Sequence, residues 1–196
     1  MTKIRIIGVD PGLTCGIGVL DFDSGAPSAF TAGVLQCDSG MALAVIAGLI
    51  EDAPGHVGVA AERYVAGRNR EGGTASLTRS LVEAVARLAA ERADVGWSRA
   101  AHEVKAWATD DRMATAGLLE LAKGMSNHGL DGLRHALYAA VKNGGLRDPL
   151  AKKGARKSGT SSASPAHRGR SHEVLGGSLT DRRASNNSNH TRSVTT

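Results

Sequence analysis

The chain has 196 residues, with 24 Lys and Arg against 19 Asp and Glu, for a net charge of +5. Residues 1–147 hold 15 basic and 16 acidic side chains and residues 148–196 hold 9 and 3, so the basic excess lies in the last quarter. The longest apolar run, Met41 to Ile50, is too short to span a bilayer, the N-terminus shows no apolar signal region, and Cys15 and Cys37 form neither a disulfide framework nor a zinc site.

In chain order, residues 4–9 read as a buried strand closed by the turn Asp10-Pro11-Gly12. Residues 14–21 are small and β-branched and read as a second strand, and residues 29–36 as a third, together an antiparallel meander. Asp38-Ser39-Gly40 offers an N-cap for a helix over 41–51, with Leu43, Ile46, Ala47 and Ile50 on one face. A short apolar strand over 56–61 ends at Glu62, and a polar, basic, glycine-rich loop covers 65–73. A long helix over 74–92 carries Leu77, Leu81, Val85 and Leu88 at helical spacing.

A fifth strand is expected over 96–101, then helices over 103–108, 110–123 and 130–142. A meander followed by strands alternating with helices predicts an α/β layered sheet with helices on its faces. From Asp148 onward the chain is Ser, Thr, Gly, Asn and basic residues, too poor in large apolar side chains to offset its ordering entropy. The expected division is a folded domain over 1–147 and a disordered basic tail over 148–196.

Familiar nucleotide and hydrolase motifs fail. After Gly16-Ile17-Gly18 no third glycine opens a helix, the only Lys-Ser pair (Lys157-Ser158) lies in the tail, and no Gly-x-Ser-x-Gly elbow occurs. A sugar-kinase or actin-like ATPase shares the opening pattern but needs a second, similar domain for which 147 residues leave no room. Acidic residues at strand ends carry more information. Asp10 ends the first strand and Glu62 the fourth, while Asp131 and His135 stand four apart on one face of the last helix.

The run Ile7-Gly8-Val9-Asp10-Pro11-Gly12, then Ala60-Ala61-Glu62-Arg63-Tyr64, then Val104-Lys105 leading to Thr109-Asp110-Asp111-Arg112, then Asp131-Gly132-Leu133-Arg134-His135-Ala136-Leu137 occur in that order. Together they resemble RuvC-type Holliday-junction resolvases, over roughly residues 4–142, and most of all the divergent phage-encoded members. The resemblance implies a ribonuclease H-like mixed five-stranded sheet with helices on both faces. It implies a crossover junction endodeoxyribonuclease, a metal-dependent enzyme that resolves four-way junctions by paired symmetric nicks.

By the same resemblance Asp10 is the central acid bridging two Mg²⁺ or Mn²⁺ ions, Glu62 the second carboxylate, and Asp131 and His135 the closing ligands. The bacterial pattern on that last helix is two acids three residues apart, with a His in some members, and the Asp131–His135 spacing departs from it. Lys105, also a catalytic candidate, and Arg112 match basic positions near the scissile phosphate. The expected DNA contacts are Tyr64, Arg68, Asn69, Arg70, Lys105 and Arg112. Tyr64 reads equally as a packed strand-end aromatic or as a base-stacking side chain.

The implied partners are branched DNA and a second copy of the chain, with no membrane, in the cytoplasm (of the host, for a phage-encoded chain). The resemblance places dimerisation on the region of the long helix, and two-fold symmetry suits two equivalent strands. The alternatives are a related nuclease acting on flaps, forks or RNA, or an inactive nucleic-acid-binding module.

Overall fold

A computed structural model describes residues 1–65 and 73–151. The chain divides into two units, Met1–Ala155 and Arg156–Thr196, and all the described residues belong to the first. Its strands are β1 (Lys3–Asp10), β2 (Thr14–Asp23), β3 (Phe30–Asp38), β4 (His56–Glu62) and β5 (Val95–Arg99). Its helices are α1 (Ser39–Glu51), α2 (Gly73–Arg92), α3 (Ala101–Trp107), α4 (Asp110–Thr115), α5 (Leu118–Leu121) and α6 (Asn127–Lys142).

The strands form one sheet in the order β3-β2-β1-β4-β5. The meander β1–β2–β3 is antiparallel, and β4 and β5 add to it in parallel with β1. A sheet that changes from antiparallel to parallel at β1 leaves a crevice beyond the C-terminal ends of β1 and β4, where ligands of α/β sheets collect.

Alternation along each strand sorts the side chains into two layers. Ile6, Leu20, Phe22 and Ala60 pack with α6, Val104 and Leu118 on one face. Ile7, Val9, Ile17, Val57 and Val59 pack with Ala42, Ile46 and Ile50 of α1 and Leu81, Val85 and Ala89 of α2 on the other. Asp10 has the parity of Ile6, and Glu62 that of Ala60, so both belong to the α6 face. The register Gly8–Ala60 and Val9–Ala61 brings them level at the ends of neighbouring strands.

Glycines let α6 lie directly on this sheet. A β-carbon on Gly8 would collide with the backbone of Gly132 and Ala136, one on Gly16 with the carbonyl of His128, and one on Gly18 with the backbone of Leu133. The helix answers with Gly132, whose own β-carbon would crowd the backbone of Gly16. The glycine spacing of β1 and β2 is thus a landing strip for a helix backbone rather than a phosphate loop.

Several expected boundaries move. The helix expected over 110–123 is broken into α4 and α5, because Gly117 takes a left-handed φ of 74° between them. The last helix begins at Asn127, three residues early, with Ser126 as its N-cap accepting the N–H of His128 at 3.4 Å. Asp38 stands at the N-cap of α1, but its side chain makes no capping bond. Leu77, expected on the buried stripe of α2, is 56% exposed, while Ala89 continues that stripe.

Cys15 and Cys37 face each other across β2 and β3 as free thiols, the first buried and pushed up to about 12 chiefly by that burial. Among the described residues, no helix is long and apolar enough to cross a membrane.

Candidate active site

An open cleft of about 1010 Å³ lies beyond the ends of β1 and β4, lined by Asp10, Glu62, Tyr64, Lys105, His128 and Asp131 among others. Four elements deliver these side chains. β1 and β4 supply Asp10 and Glu62, α3 supplies Lys105, and the first two turns of α6 supply His128 and Asp131. Asp10 and Asp131 are only 6% and 8% exposed.

A carboxyl group buried beside carboxylates favours its protonated form. Burial, then the hydrogen bond with Asp10 and the charges of Asp10 and Asp131, push Glu62 up to about 8, against a smaller lowering by Lys105. Burial and the neighbouring carboxylates therefore favour a proton held between Glu62 and Asp10. The other carboxylate oxygens are met by protein nitrogens. His128 Nδ1 lies 2.7 Å from Asp10 Oδ2, Lys105 Nζ 2.7 Å from Asp131 Oδ2, and Arg134 Nη1 2.7 Å from Asp131 Oδ1.

Among the described residues, no three His, Cys, Asp or Glu side chains stand ready as a bare ligand cluster. The carboxylates are closed instead around a proton, an imidazole, an ammonium and a guanidinium. A hard cation would displace the proton and the ammonium, and carboxylate oxygens with one imidazole nitrogen suit Mg²⁺ or Mn²⁺.

The sequence-predicted residues divide accordingly. Asp10, Glu62, Lys105 and Asp131 meet in the cleft, and Tyr64 stands on its wall with the Arg79 guanidinium 5.3 Å from its ring centroid. His135 does not line the cleft. It is 3% exposed, beside a separate small cavity with Trp97, Arg99, Tyr138 and Asn143, and burial lowers it to about 4, against smaller raising effects of Asp10 and Asp131. It is a neutral core imidazole one turn behind the carboxylates.

Arg112 also turns away from the cleft. Its guanidinium bonds Asp148 at 3.0 Å, reaches the carbonyl of Trp107 and lies 4.3 Å from the centroid of that indole, which closes the chain after α6 onto the α3–α4 turn. Arg68, Asn69 and Arg70 lie outside the described residues.

Two residues of the site were missed in the sequence reading, His128 and Arg134. For His128 the signal was present: Ser126 is a good N-cap, and starting the helix there places His128 three residues before Asp131. Three residues is also the separation of the two acids in the expected pattern on this helix. Arg134 stood inside the run from Asp131 to Leu137 without a role of its own, because its meaning depends on Asp110 arriving from α4, where Arg134 Nη2 meets Asp110 Oδ1 at 2.6 Å.

No protein-family model and no curated protein matches the chain. Among solved structures, the chain is similar to Thermus thermophilus RuvC in complex with Holliday junction substrate, at 19% identity and a TM-score of 0.50, over 70% of this chain and 92% of that one. A second structure of Thermus thermophilus RuvC matches at 20% identity and a TM-score of 0.47, over 69% and 93%. The described unit thus has the fold of RuvC, a ribonuclease H-like mixed five-stranded sheet with helices on both faces.

Proposed function

We propose that the chain is a metal-dependent DNA endonuclease that resolves four-way junctions by paired symmetric nicks. One observation carries the reading: Asp10, Glu62 and Asp131, from three separate elements, meet with His128 at the rim of an open cleft on this fold. A core does not gather three acids at a solvent-facing edge for stability, since each is costly to bury without a partner. The similar RuvC structure is a complex with Holliday junction substrate, and the same substrate class is the proposal here.

Asp10, Glu62, Asp131 and His128 are the residues that would hold the ions, with His128 in the place expected for His135. Two divalent ions, when bound, supply an activated water and a clamp on the scissile phosphate. The chain's own part would be to give up the proton held between Glu62 and Asp10, to present Asp10 beside Glu62 and Asp131, and to free Lys105 from Asp131 toward a phosphate. Tyr64, braced by Arg79 on the cleft wall, offers a face on which an unpaired base stacks.

A homodimer presents two such sites to two equivalent strands. The division into a nuclease domain over 1–147 and a basic tail that touches phosphates belongs to the same proposal, as does action in the cytoplasm. The test is incubation of a synthetic immobile junction with the full chain and Mg²⁺ or Mn²⁺. Nicks in one pair of opposed strands support the reading, cuts confined to flaps, forks or RNA replace it with the related nuclease, and a gel shift without cutting reduces it to a binding module.

A further inference from the structure

Asp131 meets a cation on each carboxylate oxygen, and the two cations are held differently. The Lys105 side chain is 49% exposed on a flexible stem, with Nζ on Oδ2. The Arg134 side chain is 15% exposed and spans from Asp131 Oδ1 to Asp110 Oδ1 at 2.7 and 2.6 Å. Its Nε is buried with no hydrogen-bond partner. An unmet buried donor is costly, so the guanidinium is not seated where its own bonding is best served. The two carboxylates it bridges set its place.

The charges explain why such a bridge is tolerable beside a cation site. A lone guanidinium on Asp131 would compete with any metal. Paired with Asp110, the first residue of α4, it is neutralised, and the row Asp110–Arg134–Asp131 keeps the single negative charge of Asp131 alone. Only a planar fork reaches both carboxylates at once, which a lysine ammonium does not.

We propose that Arg134, anchored by Asp110, is a positioning residue that fixes the Asp131 carboxylate with Oδ1 engaged and Oδ2 left to the cleft, where Lys105 is the exchangeable partner. The inference rests on the reading of Asp131 as a metal-binding carboxylate. Removing a group that orients a ligand typically lowers metal affinity 10- to 100-fold.

The test is titration of the full chain with Mn²⁺ alone, free ion followed by electron paramagnetic resonance, with thermal melting alongside. Arg134→Lys keeps the charge but loses the fork, and it should weaken Mn²⁺ binding by about tenfold or more. Asp110→Asn, on a side chain 73% exposed, should weaken it by about threefold with little change in melting. In the Arg134→Lys background Asp110→Asn should add nothing, since Asp110 acts through Arg134.

Unchanged or tighter Mn²⁺ binding in Asp110→Asn and Arg134→Lys overturns the inference, tighter binding marking Arg134 as a competitor. If Arg134→Lys fails to fold, Asp110→Asn alone decides. Asp10→Asn is the control that separates the two claims. If it loses Mn²⁺ while the other variants keep it, this inference alone fails; if it binds like the wild type, the reading of the site fails and the inference with it.

Discussion

His128 and His135 stand two helical turns apart on α6, and their surroundings give them different work. His128 meets Asp10 at the cleft, whereas His135 is buried, neutral and away from the lining. His128→Ala should therefore lower junction cutting by about tenfold or more with a normal melt, while His135→Ala should cost about 1–3 kcal/mol of stability and cut well where still folded. The reverse pattern returns the role to His135. Glu62 makes a second prediction. Its folded pKa of about 8 lies above the unfolded 4.5, so it stabilises the folded protein at low pH and loses that contribution as pH rises toward 8. His135, lowered from 6.5 to about 4, acts oppositely and only below 6.5. Between pH 6.5 and 8 Glu62 acts alone of the two, and the metal-free protein should lose about 1 kcal/mol after allowance for screening. Glu62→Gln should flatten that slope in melts across the same window; an unchanged slope would remove Glu62 as its source.

Among the elements, the packing of α6 on β1 and β2 decides whether a site exists. Gly16→Ala puts a β-carbon against the His128 carbonyl and should cost about 1–3 kcal/mol, as overpacking does, together with cutting activity. Gly33→Ala in β3 meets nothing within 4 Å and should be near neutral in both melts and nicking assays, so equal costs at the two positions would refute the landing-strip role. The strands of the meander were legible because apolar and β-branched runs closed by turn residues are local signals. Asp10 and Glu62 were legible because each is the acidic residue that closes an apolar strand-like run. The start of α6 was read one turn late, since Leu130 is its first large apolar residue and the cap at Ser126 is secured by Gln36 of β3, a tertiary contact. That late start hid His128. The breaking of the 110–123 helix was masked by good helix formers on both sides of Gly117. Arg112 read as a phosphate contact by motif position, yet its partners Trp107 and Asp148 are set by folding.

At the scale of the whole chain, charge and chemistry are separated along the sequence: the residues up to 147 are nearly neutral and carry the site, and the basic excess follows them. A chain ended after Ala151 keeps the Asp148 partner of Arg112, a better cut than one after Arg147. It should bind junctions more weakly than the full chain, with a salt slope shallower by roughly 0.9 for each phosphate that the tail would otherwise neutralise, and leave nick positions unchanged. Equal affinity and slope would leave residues 152–196 no part in binding. Whether the cleft cuts branched DNA in pairs is read by mapping nicks on all four strands of an immobile junction. With Mg²⁺ or Mn²⁺, nicks should fall at symmetry-related positions on one pair of opposed strands and be lost in Asp10→Asn while junction binding persists. Cuts on a single strand, or equal cutting by Asp10→Asn, would contradict paired cutting by this cleft.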